Sequence, residues 1–353
     1  MLDIEYFMKA HDFKLAALRG EVSDQARAAE LLESFRSREP VVYNIETTNA
    51  CNMRCEMCPR TTKMTRPVET LDLATFRRVI DQLKPHAADR WAAWESFVTG
   101  RYGIRPDEMS ENHFFLYIIP KVIQLHGYGD PLLDKNMGEC VKLLKERGFF
   151  SYFSCNPANI DLDKTLEMFG NGLDYIKYSI ESVDDERHKA IRGKASDFTE
   201  SYQKILQLLD RKQRDGFGTT IIITMLDLNK DRQQDEFAKL RQAFAGKDVY
   251  IYLKSEDQQW YRKDFHGTKS VHWTEFCQHP WMTMTIKSNG EATMCMEDYN
   301  NEIVLGDVRR ESLAEIWNGE RYRRFRQDHF DLTPGLKCTG ECDMKLIGSL
   351  VKV

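Results

Sequence analysis

The stretch TTNACNMRCEMCPR, residues 47–60, places Cys51, Cys55 and Cys58 within eight positions, with no fourth cysteine nearby along the chain. That spacing limits the chemistry. A structural zinc site takes four protein ligands, and a C-x-x-C knuckle normally pairs with a second one. A thioredoxin-like motif needs only two cysteines. The remaining reading is an iron–sulfur cluster. Four thiolates normally hold a four-iron cluster; three leave one iron open to bind something else, by the logic that keeps a position open on a catalytic zinc. Four further cysteines follow late in the chain (Cys277, Cys295, Cys338 and Cys342), and Cys140 and Cys155 stand alone.

The setting is a chain of 353 residues with a net charge of −5, 42% hydrophobic and 30% charged, which suits one large soluble domain and an appendage, or two ordinary domains. No apolar run nears the roughly 20 residues that span a bilayer. The N-terminus has neither a basic start nor an unbroken apolar stretch, so a cytoplasmic protein is expected. Without a large basic block there is no electrostatic reason to expect nucleic acid. The cytoplasm keeps thiols reduced, so nine cysteines are not read as a disulfide framework.

The elements that must position these thiols alternate in kind. VVYNIETTNAC, KVIQLHG, FFSYFSC, LDYIKYSI, TTIIITML and DVYIYLK read as strands, and patterns such as LDLATFRRVIDQL and FTESYQKILQLLDRKQ between them read as helices. Such alternation predicts parallel strands joined by right-handed crossovers, leaving an open sheet and a barrel both possible. Residues 86–118 interrupt the rhythm with a long insertion holding Trp91 and Trp94, read either as a cover for the active site or as a packing element. Past Lys254, MTMTIKSNGEATMCM alternates on both sides of an Asn-Gly pair expected to supply positive φ angles to a hairpin. An amphipathic helix and the loop LKCTGECD follow.

CNMRCEMC is similar to the C-x3-C-x2-C signature of the radical S-adenosylmethionine (SAM) superfamily and lies just after the first strand, where that family places it. HGYGDPLL resembles the family's G-G-E-P-L-L element: Gly129, Asp130 and Pro131 match in order, Tyr128 stands at the usual first glycine, and Asp130 replaces glutamate. The resemblance implies that this element meets the amino group of the methionine moiety. YIKYSIESVDDERHKAIRG resembles the segment carrying SAM-contacting residues, which implies Ser179 for ribose or carboxylate and Arg192 for carboxylate. Asn156 sits where the family often has a T-N-G turn. The likeness covers residues 41–256 and implies a partial (β/α)6 TIM-like barrel with its site at the C-terminal strand ends.

Residues 257–353 resemble the SPASM/twitch extension of such enzymes: Cys277, Pro-Trp, a strand, an Asn-Gly turn, Cys295 followed by Met-Glu-Asp, then LGD, EIWNGE, and the pair Cys338 and Cys342. Four cysteines fit the twitch form, with one fully ligated auxiliary 4Fe-4S cluster; a structural zinc is the alternative. The expected division is thus 1–40 as a helical extension, 41–256 as the barrel with its insertion, and 257–353 as a small iron–sulfur domain. The implied cofactors are SAM, the SAM-binding 4Fe-4S cluster and the auxiliary cluster, with a low-potential donor such as flavodoxin or ferredoxin. The expected substrate is a polar small molecule, oxidised as a sugar or cyclitol would be. Redox-neutral epimerisation, peptide or protein modification, and a non-catalytic iron–sulfur or zinc protein are the alternatives; only about 40 residues precede the first strand, which weighs against a leader-binding peptide enzyme. Cys155, at the end of the third strand, is a candidate hydrogen donor to a substrate radical, or else a core thiol like Cys140. Tyr128, Trp94, Asp257 and Trp260 are candidates for the pocket wall by position.

Overall fold

The computed structural model describes residues 1–18, 25–226, 233–254, 277–336 and 338. Cys342, Asp257 and Trp260 therefore lie outside the described residues.

Six strands run parallel in simple succession: β1 Val42–Ile45, β2 Val122–Gln124, β3 Phe150–Cys155, β4 Tyr175–Ser179, β5 Thr220–Leu226 and β6 Tyr250–Lys254. The connecting helices start on side-chain caps that the sequence supplies. Asp72, Asp161, Asp184 and Asp197 each accept a hydrogen bond from a backbone N–H of the first turn, satisfying donors that have no intrahelical partner.

Strand alternation divides the apolar residues into two cores. Ile123, Leu125, Phe153, Ile176, Tyr178, Ile221 and Ile223 pack with helix residues such as Phe76, Val141, Phe169 and Ile205. The opposite parity, Val122, Tyr152, Ile222, Tyr250 and Tyr252, belongs to a second cluster on the concave side. Residues from outside the barrel repeat complete that cluster: Leu2 and Phe7 near the N-terminus, and Trp94, Phe114 and Leu116 from the insertion. The insertion's helix Ala88–Tyr102 packs on the helix Ile4–Leu18, with Phe7 edge-on to Trp94 at 5.2 Å. Phe114 reaches Tyr152 and Tyr252 at 5.6 and 5.2 Å between centroids. The insertion thus closes the barrel from the end where the strands begin. It is a floor, not a cover, and Trp94 is core.

The sheet does not stop at the barrel. β7 Met284–Ile286 pairs in parallel with β1, then β8 Glu291–Thr293 and β9 Val304–Asp307 add antiparallel, giving the order β6-β5-β4-β3-β2-β1-β7-β8-β9. The expected hairpin is present, but Gly290 alone of the Asn-Gly pair has positive φ, at 81°. The two helices Leu313–Asn318 and Glu320–Phe330 follow, the first opened by a capping box between Ser312 and Glu315. Gly306 of β9 permits that helix to pack directly on the strand, since a Cβ there would lie 2.5 Å from Ile316.

Candidate active site

Along each strand the concave positions change character. They are aromatic or aliphatic near the strand start and polar near its end: Val122 then Gln124 and His126, Tyr152 then Ser154, Tyr175 then Lys177 and Ser179, Ile222 then Thr224, Tyr252 then Lys254. All of these polar ends except Gln124 face a cavity of about 340 Å³ whose wall also holds Cys51, Cys55, Cys58, Gly129, Asp130, Asn156, Glu181 and Arg192. This is the C-terminal strand end, where barrel enzymes place their chemistry.

The three-cysteine loop is fixed by backbone contacts. Arg54 and Glu56 donate from their amides to the carbonyls of Arg192 and Ile191, at 3.2 and 2.9 Å, so the loop rests on the C-terminus of the helix Asp185–Arg192. Arg60 Nε donates to the Asn49 carbonyl at 2.9 Å, and Thr61 Oγ1 to that of Cys55 at 2.9 Å. Among the described residues no three His, Cys, Asp or Glu side chains converge as a single metal ion requires. A four-iron cluster instead takes each thiolate at a separate iron corner. Burial pushes the Cys58 thiol up to about 11, a cost that ligation to iron, which needs the thiolate, would relieve.

Arg192 lies within this group. Its guanidinium pairs with buried Glu181 and donates to Cys55 Sγ at 3.7 Å. Burial alone would lower its proton affinity, but the Glu181 carboxylate and the Cys55 sulfur raise it above its ordinary value. Its buried Nε has no hydrogen-bond partner among the described residues. Ser179 shares the cavity wall and the concave parity of Lys177.

Other motif residues are drawn together but occupied. Asp130 accepts from the Leu132 amide at 3.0 Å, the Asn156 amide at 3.0 Å and Asn159 Nδ2 at 2.8 Å. It organises the turns after β2 and β3; Oδ2 accepts two of these bonds, and Oδ1, which accepts one, keeps acceptor capacity. A Cβ on Gly129 would lie 2.2 Å from the Thr48 carbonyl, so glycine there lets the two loops touch. Asn156 caps the turn Pro157–Asn159 and exchanges hydrogen bonds with Ser196. Cys155 has the parity of Phe153 and packs in the helix-side core, yet it also borders the cavity; it donates its thiol to the Lys177 carbonyl at 3.8 Å, and burial holds it protonated.

A second cavity of about 110 Å³ lies deeper, walled by Tyr43, Phe114, Gln124, Tyr152, His279, Cys295 and Glu297. His126, Lys177, Lys254 and Met296 border both cavities. Cys295 Sγ accepts the Glu297 amide at 3.5 Å, and Cys277 Sγ that of His279 at 3.4 Å. Burial first, with smaller contributions from the Cys295 and Cys277 sulfurs, raises the hydroxyl of buried Tyr322 above its ordinary value. Cys338 is buried in the same core cluster as Cys295. Tyr128, at the cavity wall as expected, donates to Glu297 Oε2 at 2.6 Å and so joins the loop after β2 to the segment after Cys295. Motif reading passed over Lys177, Lys254 and His126; charged or imidazole groups at concave positions of apolar strands were their signal.

Residues 99–240 match the family model described as the radical SAM superfamily, and residues 277–343 match SPASM, an iron–sulfur cluster-binding domain. The first match begins downstream of the three-cysteine loop, whose reading rests on its own motif and geometry. The sporulation killing factor maturation protein SkfB of Bacillus subtilis (strain 168) is 19% identical over 380 residues, spanning 96% of this chain and 77% of that protein. Among solved structures, SuiB of Streptococcus suis bound to the precursor peptide SuiA superposes with a TM-score of 0.54 at 12% identity, covering 96% of this chain and 82% of that one. Native anSMEcpe with bound AdoMet gives 0.53 at 13% identity, covering 87% and 91%. The likeness to these structures is one of fold. No helix among the described residues is long and apolar enough to cross a membrane.

Proposed function

The chain belongs to the SPASM-bearing radical SAM enzymes, and from that membership we propose that it oxidises a polar small molecule held between its two sets of cysteines. Its cofactors are SAM, the SAM-binding 4Fe-4S cluster and an auxiliary iron–sulfur cluster. When bound, these supply a carbon radical able to take hydrogen from an unactivated carbon, and an acceptor for the electron left behind. The chain's residues hold, orient and enclose. Cys51, Cys55 and Cys58 would hold the first cluster, with Arg192 offering Nε to the SAM carboxylate, Ser179 beside it, and Asp130 as acceptor for the amino group. Cys277, Cys295 and Cys338, with Cys342, would hold the second.

The observation that carries this reading is the shared wall of the two cavities. A substrate against His126, Lys177 and Lys254 has the Cys55 side above it and Cys295 below it. Proximity to both cysteine sets suits a two-electron oxidation, in which hydrogen leaves on one side and an electron on the other. Epimerisation needs a hydrogen donor at the cavity, and Cys155, which borders the cavity wall, is the candidate for that role in this redox-neutral alternative. A peptide substrate is the second reading, favoured by the similarity to SkfB that runs nearly the whole chain.

The test is 5′-deoxyadenosine formation by anaerobically reconstituted protein given dithionite and SAM, beside Cys55→Ala. Product from the wild type alone is expected, and polar metabolites should then accelerate it more than peptides do. Acceleration by peptides alone would replace the first reading with the second. Equal product from Cys55→Ala would sink both.

A further inference from the structure

We propose that Lys177 is the recognition cation of the deeper cavity, an ammonium on its aromatic floor that binds a carboxylate of the substrate. The proposal rests on the reading of the two cavities as the reaction site. Lys177 is only 9% exposed, on the concave side of β4, with Nζ 5.1 Å from the Phe114 ring and 5.7 Å from that of Tyr152. No carboxylate of the described residues forms an ion pair with it. Buried charges are ordinarily paired, so this one lacks its complement within the described structure.

The groups facing it sharpen the choice. Lys254 at the end of β6 and Arg192 add positive charge, and Glu111 and Glu181 oppose them with smaller effect. His126, beside β3, accepts the Ser154 amide at Nδ1 at 3.0 Å, which leaves its proton on Nε2 as a donor. Glu297, on the same cavity wall, is engaged by the Tyr128 hydroxyl. The balance calls for an anion, and a cavity this small with Glu297 in its wall suits a monoanionic carboxylate over a doubly charged phosphate.

Burial, then Lys254 and Arg192, push the Lys177 amine down to about 7. Carboxylate binding needs the charged form, so affinity is full below that value and falls as pH rises through it.

The experiment measures binding to the reconstituted full chain with SAM saturating, so that the SAM carboxylate is already placed. Line broadening by NMR reads acetate, its neutral isostere acetamide, and N-acetylaspartate methylamide, at pH 6.5 and 8.5. Acetate samples a free acid and the capped aspartate an acidic residue of a peptide; the tighter binder identifies the source. A carboxylate should bind at least tenfold tighter than acetamide, and Lys177→Met should weaken it at least tenfold. Lys177→Arg should hold affinity within about threefold and remove the pH dependence, which in the wild type is roughly ten- to thirtyfold across that range. Acetamide binding equal to acetate, affinity rising with pH, or unchanged affinity in Lys177→Met with full iron content would overturn the proposal. 5′-Deoxyadenosine formation by the wild type in the same preparation keeps its failure separate from failure of the wider reading.

Discussion

Gly193 is where the cysteine loop and its supporting helix come closest. Its backbone has φ 103° and ψ 157°, a region essentially restricted to glycine, and an added Cβ would meet the Arg54 amide nitrogen at 3.0 Å. Gly193→Ala should therefore cost about 1–3 kcal/mol and loosen the loop that carries Cys51, Cys55 and Cys58. Thermal unfolding should show the first effect and iron retained per chain the second; full iron at wild-type stability would mean that the loop tolerates the shift. At this scale the sequence was readable where a residue type has one use. Arg192 was expected in the cavity and is there with an unpaired donor. Asp130 was expected as an acceptor for the methionine amino group; that its carboxylate also takes three protein donors was not legible. Those partners come from the turns after β2 and β3, and spacing along one strand carries no information about them.

The strands were legible because period-two alternation is a local signal, and all six barrel strands fall in the segments expected of them. The insertion was legible as an element but not as to place. Its aromatic residues suit a cover over one mouth of the barrel as well as a floor under the other, and only tertiary packing separates the two. Trp94 decides it here: it is 1% exposed, donates Nε1 to the Leu116 carbonyl at 2.7 Å, and stacks in the lower core. Trp94→Ala should cost about 3–5 kcal/mol through the cavity it leaves. SAM affinity, measured on reconstituted protein well below the new melting temperature, should stay within about twofold. A severalfold loss of SAM affinity with little loss of stability would return the insertion to the role of a cover.

At the scale of the whole molecule, the C-terminal unit is joined to the barrel through β1, by a parallel pairing with β7 that the Asn-Gly hairpin signal could not disclose. Buried Glu46, just past β1, anchors that junction. It pairs with Arg66 at 2.8 Å, and accepts the Ser288 hydroxyl at 2.9 Å and the Tyr128 amide at 3.2 Å. Arg66 Nε in turn donates to the Tyr299 carbonyl at 2.7 Å. The segment after the cysteine loop, the turn after β2 and the C-terminal hairpin thus share one carboxylate. Burial alone would raise the Glu46 carboxyl, but Lys287 and Arg66 overcome it and hold it below the usual range. A carboxylate depressed in the folded state contributes stability that is present above its unfolded value of about 4.3 and is lost as pH falls through the folded value. Arg66→Met leaves a buried charge with Lys287 as its remaining cation, so a loss near 3 kcal/mol is expected at neutral pH. Acid unfolding, followed by circular dichroism, should begin at a higher pH than in the wild type. Removing the charge as well, in Glu46→Gln with Arg66→Met, should restore part of the stability, because the amide has no desolvated charge to compensate. If the double variant is instead the less stable of the two, Glu46 acts through its hydrogen bonds to Ser288 and Tyr128, and the ion pair is secondary to them.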